Sequence, residues 1–159
     1  MLLSELLHEN TIILNIDKTD RFELIDFLIK KLQNIYCLDN ELILKIRDKI
    51  INREQSMSTG LGKGIAAPHA EVDGVKSTMA LMAVTRKGID FKSLDGLNVR
   101  IVILLVMPEG QFKEHIMTLS GIAHLLRNQL LRHQILLLKT PEKIFSCILS
   151  EEINELLKY

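Results

Sequence analysis

Residues 52–70 read N-R-E-Q-S-M-S-T-G-L-G-K-G-I-A-A-P-H-A, and within them lies the side chain best suited to nucleophilic chemistry, His69. An imidazole titrates near neutral pH, so its neutral form offers a free electron pair under ordinary conditions. Gly60, Gly62 and Gly64 let the chain turn sharply and approach another group closely. Pro68 fixes its own φ and biases Ala67 toward an extended backbone, so a stiff, strand-like lead-in presents His69 from a pre-set position. Arg53 adds a permanently charged, forked donor suited to anionic oxygens. Ser58 and Thr59 add hydroxyls that either donate to such an anion or hold the turn together.

Two nucleotide-binding patterns compete for the same glycines, and both fail. A Walker loop needs G-x-x-x-x-G-K-[ST], but Met57 stands five residues before Gly62, and Gly64 follows Lys63 where Ser or Thr belongs. The spacing of Gly62, Gly64 and Ala67 imitates a dinucleotide fingerprint, yet Pro68 follows where a helix should open and a polar loop precedes it. His69 taken alone reads as a part-buried, hydrogen-bonded residue without chemistry. The surrounding pattern gives it more weight than that.

The chain must supply elements to hold these side chains. Residues 2–8 suit a short helix and residues 11–16 a strand. Asp20 caps an amphipathic helix carrying Phe22, Ile25, Leu28, Ile29 and Leu32, and Asp39 caps a second with Leu42, Ile43, Ile46 and Ile50 on one side. The second helix runs toward Arg53 and ends where the glycine loop begins. Beyond His69, Asp73-Gly74 marks a turn before a strand over 78–85, and 88–91 suits a short edge strand. Residues 99–107 are apolar on both alternating faces apart from Arg100, the mark of a central strand covered by helices on both sides. Pro108-Glu109-Gly110 ends it. A helix over 113–127, an apolar stretch over 130–138 and a start signal at Thr140-Pro141 follow. Residues 141–157 read as one broken or two short helices parting near Ser150. The expected fold is one α/β domain over residues 1–159, a sandwich with a central mixed parallel and antiparallel sheet of about five strands and helices on both faces.

Composition narrows the function. Twenty basic and twenty acidic residues cancel, so the charge footprint of a nucleic-acid binder is missing. Aromatic residues are only 4% of the chain, so the core must be aliphatic. The longest apolar run, 101–107, is far short of the roughly 20 residues that cross a bilayer. No basic segment precedes the first apolar residues, which argues against an export signal. A cytoplasmic location without membrane insertion is expected. Cys37 and Cys147 stand far apart and outside any C-x-x-C pattern, so both read as reduced thiols.

The pattern R-E-x-x-x-S-T-G-x-G-x-G-x-A-x-P-H is carried here by Arg53, Glu54, Ser58, Thr59, Gly60, Gly62, Gly64, Ala66, Pro68 and His69. It resembles the phosphorylation-site signature of the fructose/mannitol family of enzyme IIA in the phosphoenolpyruvate-dependent phosphotransferase system. The resemblance continues through the strand ending in Met107-Pro108-Glu109-Gly110 to His115, which matches the second active-site histidine of that family. It spans nearly the whole chain and is closest to the free-standing, nitrogen-regulatory type. Ala67, where a larger aliphatic residue is common, and Ala70 after the histidine are small departures.

The resemblance implies that His69 accepts a phosphoryl group on Nε2, that His115 orients it and that Arg53 stabilises its charge, with Thr59 and Ser58 in support and no cofactor. It implies HPr or a nitrogen-system HPr relative as donor. The receiver is then a regulatory partner or, in a sugar-transport enzyme IIA, a cysteine of a IIB domain. A non-catalytic interaction module with the same fold is a further alternative, against which the conjunction of Arg53, His69 and His115 argues. His115 falls on the stripe of Leu119, Ile122 and Leu126, in the first turn of its helix, whereas His124 lies on the opposite side. A zinc site would need an acid such as Glu109 or Glu114 beside the histidines, and nothing has metal-ligand spacing, so no metal is expected. His8 and His133 read as surface residues. Leu61, Ile65 and Ala67 suit either an apolar rim around His69 or the core.

Overall fold

β6, Val99–Pro108, is the spine of the molecule: every residue along it is buried except Arg100, which is half-buried. The structure, a computed structural model, describes residues 2–158. Alternation sends Val102, Leu104 and Val106 to one face of the sheet and Ile101, Ile103 and Leu105 to the other. On the first face they meet α2, Arg21–Tyr36, through Leu24, Leu28 and Leu32, and α3, Asn40–Ser56, through Ile43, Ile46 and Ile50. On the second face lie α1 (Leu3–Leu6), α4 (Phe112–Leu125), α5 (Gln129–Leu137) and α6 (Pro141–Leu156). An aliphatic strand covered on both sides is what the unbroken apolar pattern requires.

The sheet has six strands in the order β1 (Ile12–Ile13), β5 (Met79–Ile89), β6, β3 (Ile65–Ala66) and β2 (Gly60–Gly62), with β4 (His69–Val72) also paired to β6. β5 runs antiparallel to β6, while β3 and β4 run parallel to it in one continuous register, Ala66 opposite Val102 and His69 opposite Leu105. Ala67 and Pro68 separate the two short strands without breaking that register, the Pro68 carbonyl accepting the Leu105 N–H at 2.9 Å, so an extended segment leads into His69 as expected. Asp20 accepts the N–H groups of Phe22 and Glu23, Asp39 that of Leu42 and Thr140 that of Lys143, so all three expected caps are in place.

Three expectations change, and one unassigned apolar stretch gains an element. The strand over 11–16 shrinks to Ile12–Ile13, because Asn15 takes a left-handed φ of 56° that no extended run accommodates. The strands over 78–85 and 88–91 are one strand, β5, with a register irregularity against β6 between Val84 and Ile89 that Gly88 accommodates at φ 77°. The stretch 130–138 is helix α5, capped by Asn128. Finally α6 does not part at Ser150, whose hydroxyl donates to the Ser146 carbonyl 2.8 Å away within an unbroken helix.

Candidate functional site

The glycine loop folds back on itself before it reaches His69. Gly62 and Gly64 sit at φ 79° and 76°, and a Cβ on Gly60 would lie 2.2 Å from Ser93 Oγ, so this loop closes only with glycine at these places. Glu54, on the inner side of α3 and 1% exposed, anchors its start by accepting the Thr59 N–H at 3.1 Å and the Thr59 hydroxyl at 2.5 Å. Arg21 Nη1 reaches Glu54 Oε1 at 3.3 Å. Burial holds the Glu54 carboxyl above its ordinary pKa, against the pull of the Thr59 donors and of Arg21 and Arg53. The Thr59 carbonyl in turn accepts the Ala67 N–H at 3.0 Å, and the Ala67 carbonyl accepts from His69 Nδ1 at 2.7 Å. A chain of hydrogen bonds thus runs from α3 through the loop to the imidazole.

That last bond fixes the tautomer. A carbonyl oxygen can only accept, so Nδ1 carries the proton and the neutral ring keeps its free pair on Nε2. Burial lowers the pKa of His69, and the nearby Arg53 and His115 lower it further, outweighing the Ala67 carbonyl and Glu71. The ring is therefore neutral at pH 7. A lowered value means that His69 stays unprotonated as pH falls through the ordinary histidine range. Its Cε1 proton resonance is expected to titrate with a midpoint below that of a free histidine; a midpoint at or above it would contradict the burial.

His115, the fourth residue of α4, brings its ring edge-on to that of His69, with centroids 5.2 Å apart and planes at 68°. Its Nδ1 lies 2.5 Å from Glu71 Oε1, and its Nε2 is buried without a hydrogen-bond partner. Arg53, in the last turn of α3, is half-buried and donates to the Met57 carbonyl at 2.8 Å. Three of the sequence-derived candidates are thus assembled from three elements. The two hydroxyls differ. Ser58 donates to the Phe91 carbonyl and Thr59 to Glu54, so each has its single proton committed to the protein.

Other histidines lie elsewhere. His124 is exposed, 3.8 Å from Glu155 on α6, and His8 and His133 are exposed as well. The acid beside the histidines is Glu71, not Glu109 or Glu114, and Glu109 lies 3.7 Å from Lys49. Ile65 and Ala67 are buried at 3% and 1% and belong to the core, whereas Leu61 is exposed. Sequence reading missed Glu71 as a partner because 44 residues separate it from His115. Its place two residues after His69 on a strand was the available signal, since such residues share a face.

Fold and site together define an α/β domain whose sheet edge presents a neutral histidine, its Nε2 electron pair left free and a second histidine beside it. The chain belongs to the family described as phosphoenolpyruvate-dependent sugar phosphotransferase system, EIIA 2, which it matches over residues 5–151. It is 32% identical over 148 residues to the PTS system fructose-specific EIIABC component of Bacillus subtilis, covering 93% of this chain but only 23% of that protein. Among solved structures, the nitrogen regulatory protein IIA-Ntr of Neisseria meningitidis superposes with a TM-score of 0.82 at 25% identity, covering 92% of this chain and 98% of that one. The complex of enzyme IIAMtl with phosphorylated enzyme IIBMtl from Escherichia coli shares the fold with a TM-score of 0.75 at 18% identity, covering 91% and 97%. No helix among the described residues is long and apolar enough to cross a membrane.

Proposed function

We propose that this chain is a phosphohistidine carrier that accepts a phosphoryl group on Nε2 of His69 from the phosphohistidine of HPr or a nitrogen-system relative. The observation that carries the reading is the 2.7 Å bond from His69 Nδ1 to the Ala67 carbonyl, which leaves Nε2 of a neutral ring as the nucleophile. The Nε2 electron pair forms the new P–N bond while the donor's P–N bond breaks and its pair returns to the donor's ring. His69 keeps its Nδ1 proton and gains the positive charge the donor ring loses, so no proton needs to move. The Ala67 carbonyl then faces a cationic phospho-imidazole and stabilises it. Arg53 and His115 neutralise the charge on the phosphoryl oxygens during transfer. Ser58 and Thr59 act by holding the loop.

Exposed apolar residues sit on the elements that carry these groups: Met57 at the end of α3, Leu61 in the glycine loop, and Phe112 and Ile116 on either side of His115. Such a rim lets donor and acceptor meet with water excluded. Likeness to the nitrogen regulatory protein IIA-Ntr supports a regulatory output in which the phosphorylation state selects partners. A second reading, transfer onward to a IIB cysteine, is favoured by the identity with the fructose-specific component across 93% of the chain.

Incubation with phosphoenolpyruvate, enzyme I and HPr tests the carrier reading, with one acid-labile phosphoryl group per chain expected. Arg53→Ala and His115→Ala are each expected to slow labelling on the order of 10²-fold while leaving the acceptor in place. Rapid-quench kinetics reads this, and wild-type rates in both variants would remove them from the site.

A further inference from the structure

Glu71 follows His69 by two residues on β4, so the two side chains leave the strand on the same face, while Ala70 and Val72 between and beyond them enter the core. Both outward residues are half-buried, and α4 lays His115 against them. The Glu71 and His115 side chains are only 25% and 17% exposed, and Oε1 to Nδ1 is 2.5 Å. A carboxylate accepts, so Nδ1 of His115 holds a proton there. The opposite nitrogen, Nε2, is buried with no partner within the protein. A buried polar atom left unpaired carries a desolvation cost, and one beside a reactive histidine marks a place for a ligand atom.

In the neutral ring that nitrogen bears an electron pair, which repels phosphoryl oxygens. With a second proton, taken from solvent, it becomes a donor, and the imidazolium then lies between two anions, Glu71 at Nδ1 and the phosphoryl group at Nε2. The charged groups acting on the facing ring of His69 are Arg53 from α3, Glu71 from β4 and His115 itself from α4. Glu71 is the one anion in that set.

We propose that Glu71 is a positioning residue of the phosphoryl site: its carboxylate holds the Nδ1 proton of His115 and turns Nε2 of that ring toward the phosphoryl group on His69. It rests on the carrier reading above. Glu71 touches no phosphoryl oxygen itself. It prevents the ring from flipping and keeps Nε2 aimed at the phosphoryl oxygens.

Two readouts test it. Long-range ¹⁵N–¹H spectra of the free protein are expected to show His115 protonated at Nδ1, and E71A to move the neutral ring to the Nε2-protonated form that free histidine favours. In labelling by phosphoenolpyruvate, enzyme I and HPr, E71Q is expected to slow transfer about tenfold at neutral pH, the loss of one charge-assisted hydrogen bond. E71D, which restores the charge, recovers part of the rate. A wild-type labelling rate in E71Q, or His115 unprotonated at Nδ1 in the wild type, overturns the proposal. If wild-type His69 takes no phosphoryl group, the carrier reading falls and this proposal with it; if wild type is labelled and E71Q matches it, only the proposal falls.

Discussion

Replacing His69 with alanine is expected to reduce phosphoryl acceptance to background while leaving the fold intact. The other candidate groups at the site are engaged or enclosed. The neighbouring His115 has its Nδ1 tied to Glu71, and its Nε2 is buried. The hydroxyls of Ser58 and Thr59 are engaged with Phe91 and Glu54. The structural loss is small, because the half-buried ring gives up a single hydrogen bond to the Ala67 carbonyl, worth about 1 kcal/mol. Acid-labile labelling and thermal melting, measured together, check both halves. Full-rate labelling of a folded His69→Ala protein would contradict the assignment of the acceptor.

Glu54→Ala is expected to cost about 3–5 kcal/mol of stability, the usual result of breaking a buried ion pair by removing one partner. The carboxylate is 1% exposed, accepts both the Thr59 N–H and the Thr59 hydroxyl, and forms an ion pair with Arg21 at 3.3 Å. Alanine would strand the Thr59 donors inside the protein. The damage does not stop at stability, since the Thr59 carbonyl holds the Ala67 N–H and the Ala67 carbonyl holds the imidazole. The labelling rate of His69 should therefore fall as well, although Glu54 never meets the phosphoryl group. Urea unfolding curves and labelling kinetics read the two effects. Glu54→Gln keeps an acceptor for Thr59 and is expected to lose less. Equal midpoints for wild type and Glu54→Ala would show that the loop is held by something else.

The parts of the molecule that were legible in the sequence are those where local chemistry decides. The strand at 99–107 is apolar on both faces, and the only structures that use such a strand bury it between two layers. Asp20, Asp39 and Thr140 cap helices because a short side chain with an acceptor satisfies the first free N–H groups. Glycine and proline spacing pointed to His69, and α3 carries Arg53 to the same place.

The parts that were not legible depend on distant partners. Thr59 looked available to an anion because the sequence does not reveal that Glu54 turns inward to take its hydroxyl proton. Glu71 stands just before the Asp73-Gly74 turn, and its partner His115 is 44 residues away, carried onto it by α4. Ser150 suggested a break in the last helix, but a serine that returns its hydroxyl to the preceding turn leaves the helix continuous. Gly88 suggested a strand boundary, and it instead supplies the positive φ that lets β5 run on through an irregularity.

The central claim is that Nε2 of His69 becomes the phosphoryl-bearing atom. The most direct measurement is a ¹⁵N–³¹P coupling spectrum of uniformly ¹⁵N-labelled protein after reaction with phosphoenolpyruvate, enzyme I and HPr, with intact mass recorded on the same sample. The account predicts one phosphoryl group per chain, coupled to Nε2 of His69, with Nδ1 still protonated. A phosphoryl group on Nδ1 or on another residue, or no adduct with any HPr-type donor, would contradict it.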